Sequence, residues 1–465
     1  MQFELKNVGL IDDATITLAD LTIICGENNT GKTYVTYALY GFLRSWRQIL
    51  PLVIEEKIEE VLKATPTQLD LHNLFTGYIN EYLGKIAKHY TGGLPRVFAS
   101  NQSFFENASV KVSVPAELDF LDTQYQRAIK DATGNKTVAS LRKAKGSPIL
   151  EILVADAAVV ENRYGLLDFI AEAIADIVFA PHLPDVFIAS AERTGAAIFR
   201  KELDFARNRL MQELGRHDTK NLKNPFHLLE QMEAGYPWPV QDNVDFVRQL
   251  EDIDKQVSPL VELHPNLMDA FDAVIGGSYK VVKGKGLYYQ PKGSGQPRLS
   301  MSESSSSVRA LLDIGFYLRC RAKPGDLLII DEPELNLHPV NQRALARLVA
   351  RLVNHGILVF MTTHSDYIVK ELNTLIMLHP STPHHLAMRA KFKYANEEIL
   401  NPERVKLFMT CTKLQEREGK GKRAKLNSLR EATIHPDQGM EVDTFDTTIE
   451  TMNEIQTEIL FGGEL

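Results

Sequence analysis

Apolar positions change rhythm several times along the chain, and each change marks an element. Leu21-Thr22-Ile23-Ile24-Cys25, Leu327-Leu328-Ile329-Ile330 and Ile357-Leu358-Val359-Phe360-Met361 are short apolar runs. Such runs predict strands buried on both faces. Asp185 to Ser190 reads as a further strand, and Phe3 to Leu5 with Ala14 to Leu18 as a strand pair turning around Asp12-Asp13. Ala108 to Val114 alternates with period two, the mark of a half-buried strand. Tyr279 to Val282 and Leu287 to Tyr289 flank Lys283-Gly284-Lys285-Gly286 as a hairpin. Helical spacing runs over Tyr34 to Leu50, Arg163 to Phe179, Phe246 to Leu263, Ala310 to Cys320 and Val340 to Val353. Ile54 to Ala64 and Asn80 to His89 mix charge with apolar residues and predict exposed helices. From Ala197, Phe199, Leu203, Ala206, Leu210 and Leu214 share one helical face, with a solvated basic face carrying Arg200, Lys201, Arg207 and Arg209. Lys130 to Gly146, polar, basic and punctuated by glycine, predicts a loop or insertion tip.

Length and composition narrow the class. At 465 residues the chain exceeds one simple core and predicts two or three subdomains. Its 44% apolar and 24% charged residues suit a globular protein, and no uncharged apolar run reaches membrane-spanning length. Met1-Gln2-Phe3-Glu4-Leu5 lacks the pattern of a secretory leader, so a cytoplasmic protein with no membrane partner is expected. Cys25, Cys320 and Cys411 are far apart and read as reduced core thiols. The net charge of −8 excludes a wholly basic nucleic-acid binder but leaves room for a local patch. One lies near the C-terminus: Lys413, Arg417, Lys420, Lys422, Arg423, Lys425 and Arg430 face only Glu416 and Glu418 there, and residues 431–465 hold nine acids without Lys or Arg. That split is either a self-neutralising pair or a docking face for nucleic acid or an acidic partner. Ile449, Met452, Ile455, Ile459 and Leu460 predict that the tail packs as a helix.

The chemistry is carried by Gly26-Glu27-Asn28-Asn29-Thr30-Gly31-Lys32-Thr33, a G-x-x-x-x-G-K-[ST] phosphate loop between a strand and a helix. Gly26 and Gly31 let the backbone wrap a phosphate, and the amides of Asn28, Asn29 and Thr30 and of the first helical turn point at the anion. Lys32 supplies a point charge to the β and γ phosphates and Thr33 a hydroxyl to Mg²⁺. Asp331 and Glu332 close an aliphatic strand in the pattern called Walker B: Asp331 suits the Mg²⁺ shell, and Glu332, pointing elsewhere, suits activation of water. Pro333 to Pro339 forms a rigid turn with Pro339 as first helical residue, and His364 ends the next strand, where a γ-phosphate can be reached. Ser304 to Ser307 abut a helix start whose free amides and hydroxyls suit phosphate.

Phosphate loop, serine-rich helix start, Asp331-Glu332-Pro333-Glu334-Leu335-Asn336-Leu337-His338-Pro339 and Thr362-Thr363-His364-Ser365, in that order, resemble the ABC-type head ATPases. Most similar are the overcoming-lysogenisation-defect (OLD) class and the ATPase subunits of phage-defence systems such as Septu and PARIS; SMC and DNA-repair heads are more distant. The resemblance covers residues 1 to 52 and about 299 to 380. It implies an α/β P-loop head with a large helical and small β insertion between the Walker A half and the signature and Walker B half. The head halves are then 1–52 and 299–380, the insertion 53–185, a helical lobe with a hairpin 186–298, and a C-terminal extension 381–465. It further implies ATP and Mg²⁺ as cofactors, Glu332 as catalytic glutamate, His364 as switch histidine, and Ser305, Ser306 and Ser307 as a signature that meets ATP bound to a second protomer. Ser307 stands where these families place glycine, and Gln102 is the candidate for the Q-loop glutamine. OLD nucleases continue into a Toprim domain, whereas 85 residues follow Pro380, so a nuclease would be a separate chain.

The resemblance thus implies an ATP-driven dimerising switch, a homo-oligomer that controls a separate effector in antiviral defence. The second reading is an SMC- or DNA-repair-like ATPase acting on DNA ends or structure, although such proteins carry long heptad arms and no sustained heptads occur here; a transport cassette, the third, would keep its motifs in one compact domain.

Overall fold

The computed structural model describes residues 1–62, 68–115, 120–130, 137–154, 163–198, 235–282, 286–293, 295–416, 423–441 and 451–459. In chain order its strands are β1 Gln2–Val8, β2 Ile11–Thr17, β3 Leu21–Cys25, β4 Gln68–Asp70, β5 Ser109–Ser113, β6 Tyr125–Lys130, β7 Thr137–Lys143, β8 Ile149–Val154 and β9 Val186–Ala189. These are followed by β10 Gly277–Val282, β11 Gly286–Pro291, β12 Leu299–Ser300, β13 Leu327–Asp331, β14 Leu358–Thr363, β15 Val405–Glu416, β16 Arg423–Glu431, β17 Ile434–His435 and β18 Gly439–Met440. Nine form one sheet in the order β5-β1-β2-β16-β15-β3-β14-β13-β9; β4-β8-β7-β6, β10-β11-β12 and β17-β18 form smaller ones.

Five neighbouring strands of the large sheet, β15, β3, β14, β13 and β9, run parallel. Of these, β3, β14, β13 and β9 are mostly apolar because helices cover both faces, whereas β15 carries polar residues at its far end. Leu327 and Ile329 of β13 enter one core with the helix Lys32–Leu62, while Leu328 and Ile330 enter the other with the helices Leu312–Cys320 and Pro339–Asn354. The other wing, β5, β1, β2 and β16, holds antiparallel pairs between β5, β1 and β2. The strand at 109–113 therefore extends the sheet that carries the phosphate loop.

Several expectations need correction. The β1–β2 turn is at Gly9-Leu10, where Gly9 has φ +61°; Asp12 and Asp13 lie inside β2. The helix after the phosphate loop does not stop at Leu50 but runs through Pro51 to Leu62. Trp46, Leu50, Ile54 and Ile58 form a buried stripe at a spacing of four, and their burial outweighs the hydrogen bond that Pro51 cannot donate. The helices expected to be exposed each bury one face: Ile58 here, and Tyr82, Leu83, Ile86 and Tyr90 on Ile79–Gly92. Residues 137–143, expected in a loop, are strand β7, whose Ala139 and Leu141 are buried. The helix expected over Phe246 to Leu263 is several short ones, Trp238–Arg248, Leu250–Ile253 and Pro259–Leu263. The basic stretch near the C-terminus is partly a strand pair, β15 with β16, on which Lys413 and Lys425 are exposed; Arg417, Lys420 and Lys422 fall outside the described residues. So does the helical pattern from Phe199 to Leu214. Residues 451–459 are helical, but Met452, Ile455 and Ile459 are exposed instead of packed.

Candidate nucleotide site

Parallel strands bring the motifs together. Cys25, the last residue before the phosphate loop, is in register with Thr363 on β14, and Thr362 with Asp331 on β13. The loop, His364 and the Walker B acids therefore emerge side by side at the C-terminal edge of the sheet, the ligand edge of such folds.

The loop is walled by the rest of the protein. Gly26 has φ +150° and a side chain there would meet Thr410 of β15; one at Gly31, φ +95°, would meet Ile11 of β2. Glycine is required at both positions for space as well as conformation. Asn29 takes a left-handed conformation with φ 61°, and Thr30 Oγ1 donates to the Glu27 carbonyl at 2.7 Å. Glu27, Asn28, Asn29 and Thr33 are exposed, while Lys32 is buried. Its Nζ donates to the Gly26 carbonyl at 2.9 Å and the Glu27 carbonyl at 2.7 Å, so the ammonium is held within its own loop. Burial lowers the Lys32 pKa, and the charges of Glu332, Asp331 and Glu334 oppose that shift. Beneath, burial pushes the Cys25 thiol up to about 12, consistent with an inert core thiol.

On β13, Asp331 is 1% exposed. Thr362 Oγ1 donates to its Oδ1, and Oδ2 is without a hydrogen-bond partner. Burial raises its pKa to about 6, with the Thr362 hydrogen bond pulling the other way. A buried carboxylate oxygen left unsatisfied, beside a loop that ends in an exposed threonine, fits a Mg²⁺ ion held by Asp331 and Thr33 and otherwise by phosphate and water. Among the described residues no three His, Cys, Asp or Glu side chains form a metal site of their own.

Glu332 has φ +51°, a conformation costing about 1–3 kcal/mol for a non-glycine residue. The left-handed turn separates its side chain from Asp331. His364 Nδ1 lies 3.8 Å from Glu332 Oε1 and 3.2 Å from Glu334 Oε1. Glu334 is almost wholly buried: its Oε2 accepts from Thr363 Oγ1 at 2.9 Å and its Oε1 from the His364 N–H at 2.8 Å. It is the orienting group for His364, a role not readable from its place in a turn. As expected, Pro339 opens the next helix, capped by His338.

The serines belong to another element. Ser305 caps the short helix Ser306–Ala310, accepting from the Val308 N–H at 3.4 Å, and its Oγ lies 2.8 Å from that of Ser307. Ser305 and Ser306 are exposed. Gln102 does not join the site. It lines a groove with Lys88 and Lys111 beside β5, at the opposite edge of the sheet from β9.

The strand beside Walker B is β9, and at its end stands a residue that the motifs do not name. Arg193 is 2% exposed, and its guanidinium donates to four carbonyls: Ser190 at 2.8 Å, Ala310 at 2.7 Å, Asp331 at 2.6 Å and Glu332 at 2.8 Å. Burial lowers its pKa, and the charges of Asp313 and Asp331 oppose that shift. Asp313, itself buried, is raised to about 6 by desolvation, with Arg193 acting to lower it. Next to Arg193, Glu192 accepts from the Tyr37 hydroxyl at 2.8 Å, which ties this corner to the Walker A helix.

Two stretches of the chain match known domain families. Residues 1–145 match the family "AAA ATPase domain", and residues 190–370 match "AAA domain, putative AbiEii toxin, Type IV TA system". The fold is the α/β fold of P-loop ATPases, and both matching models describe AAA-type domains. Among solved structures it is similar to an SMC head bound to the C-terminal winged helix of ScpA, at 12% identity over 92% of this chain and 97% of that one, with a TM-score of 0.35. An SMC head with an extended coiled coil from Pyrococcus furiosus gives 11%, 98%, 98% and 0.32, and the SMC head domain from Thermotoga maritima 11%, 80%, 90% and 0.26. No curated protein matches the sequence. No helix among the described residues is long and apolar enough to cross a membrane.

Proposed function

We propose that the chain binds ATP with Mg²⁺ and hydrolyses it slowly, as a switch closed by pairing two heads. The observation that carries this reading is the division of the site. Lys32, Asp331, Glu332 and His364 converge on one sheet edge, whereas the exposed serine cap belongs to a separate helix start with its hydroxyls turned to local partners. In this reading Gly26, Gly31 and the amides of residues 28–33 cradle the phosphates, and Lys32 leaves its two carbonyls to meet the β and γ oxygens. Asp331 and Thr33 hold Mg²⁺, which would neutralise charge on the phosphates. Glu332 orients and deprotonates water, and His364, held by Glu334, contacts the γ-phosphate. Ser305, Ser306 and Ser307 then complete the pocket of a second copy.

The output is control of a separate effector, a nuclease, in antiviral defence. Supporting this finer reading are the OLD-like order of motifs and the toxin–antitoxin description of the family matched over residues 190–370. Nucleic acid is a candidate trigger, supported by Lys413 and Lys425, exposed on the paired strands β15 and β16, of which β15 adjoins β3.

Phosphate release and nucleotide binding, measured on the full chain, test the core of the proposal. Glu332→Gln should keep ATP affinity and lose about 100-fold or more in turnover. Wild-type turnover in that variant would remove Glu332 from catalysis.

A further inference from the structure

We infer that Arg193 is a positioning residue that locks the signature helix to the catalytic glutamate, so that engagement of the serines is felt at Glu332 of the same chain. The inference rests on the roles proposed above for Glu332 and the serines. Its own support is the wiring of one side chain.

The guanidinium of Arg193 reaches segments 117 and 139 residues away in sequence, at Ala310 and Glu332. Every acceptor it meets is a backbone carbonyl, so it fixes main chain instead of pairing with a carboxylate. Ala310 is the last residue of the helix capped by Ser305, and its carbonyl is one of the terminal acceptors a helix leaves unsatisfied. Asp331 and Glu332 provide two successive carbonyls where the chain turns left-handed, the least relaxed backbone in the site. Thr362 holds the same turn from the other side, accepting from the Glu332 N–H through its carbonyl and its Oγ1, both at 3.2 Å. Glu332 is thus clamped between β14 and Arg193, and only the Arg193 side of that clamp continues to the serine helix.

Planarity makes the residue hard to replace. An arginine fork can serve several carbonyls at fixed angles, whereas an ammonium on a flexible stem has three donors and no fixed plane. Movement of Ser306–Ala310 against a partner's nucleotide would pull on Ala310, and a rigid guanidinium would pass that pull to Asp331 and Glu332. Arginine has enough donors to hold all four contacts at once.

A double-mutant cycle on the full chain tests this. Arg193→Lys should lower kcat about 10-fold or more with ATP affinity within threefold of wild type and an unchanged oligomer distribution. Ser306→Ala should also lower kcat, and the double variant should lose no more than the worse single one, because the two residues act through one connection. Multiplicative losses would show independent action and overturn the link, and wild-type kcat in Arg193→Lys would overturn the whole inference. A silent Ser306→Ala beside a slow Arg193→Lys would sink the shared-site reading while supporting the hold on Glu332. Should Arg193→Lys fail to fold, Arg193→Met with Asp313→Leu removes both buried charges together and is read by the same outcomes.

Discussion

The molecule has two candidate phosphate-binding turns, and they are built in opposite ways. The phosphate loop is enclosed by the chain: Thr410 stands behind Gly26, Ile11 behind Gly31, and Lys32 is 6% exposed with its charge already lodged on two carbonyls. The serine turn caps a five-residue helix, with Ser305 and Ser306 open to solvent. One has its backbone preorganised and needs Lys32 to exchange its carbonyls for phosphate; the other offers donors that no part of this chain encloses. A turn of the second kind gains affinity only when another surface excludes water from it, which is why it suits contact between protomers.

Four measurements would break or sharpen that contrast. Lys32→Ala should weaken ATP binding at least 100-fold, about 3 kcal/mol, by removing a charge-assisted contact in a buried setting; titration with a fluorescent nucleotide reads it, and an affinity loss below threefold would deny the loop its role. Gly26→Ala should destabilise the fold by about 3 kcal/mol through the strained φ and the clash with Thr410, whereas Ser306→Ala should change it by less than about 0.5 kcal/mol. Denaturant midpoints compare the two, and equal losses would erase the difference in enclosure. Ser306→Arg should cut hydrolysis about 30-fold while each chain keeps its ATP affinity, and sedimentation with ATP should show fewer pairs. Hydrolysis that is independent of protein concentration would instead place the whole site in one chain.

The smallest effect concerns the support behind the serine helix. Asp313 has a folded pKa of about 6 against an ordinary 3.8. A raised acid binds protons more readily when folded, so its favourable contribution is full below pH 3.8 and lost as pH rises through about 6. Relative to Asp313→Asn, wild type should therefore lose about 2 kcal/mol between pH 4 and pH 6.5, whatever the constant offset from removing a buried charge opposite in sign to Arg193. A pH-independent difference between the two proteins would show that Asp313 does not titrate there.

The enclosed turn was also the legible one. The phosphate loop, Asp331, Glu332 and His364 lie in contiguous stretches whose strand, turn and helix each have a local pattern, and the structure sets them on one edge. Arg193 was visible only as a charged residue at the end of a strand. Its work is done on four carbonyls, and carbonyls are common to every residue, so no letter in the sequence marks its partners. Glu334 was hidden similarly, within a turn that proline already explained. Errors in the fold have equally local causes. Pro51 reads as a stop unless the buried stripe from Trp46 to Ile58 is followed across it. Residues 137–143 read as a loop because Arg142 and Lys143 are basic, yet Lys143 is buried, donating to the carbonyls of Leu121 at 3.1 Å and Thr123 at 2.8 Å. The tail at 451–459 has helical spacing, but spacing says nothing of what the apolar face meets.

The position of β15 has a consequence for biosynthesis. Strand β3, which launches the phosphate loop, lies between β14 and β15, and its Leu21 pairs with Val405. At usual elongation rates that partner leaves the ribosome roughly 20 to 80 s after β3 does. Until then Gly26 has no Thr410 behind it, and an apolar strand waits with one edge uncovered. A nascent chain therefore cannot form the finished nucleotide pocket early. ATP bound as proposed would stabilise only chains extended past residue 405, and a truncation before that residue should be retained by chaperones instead of entering an assembly.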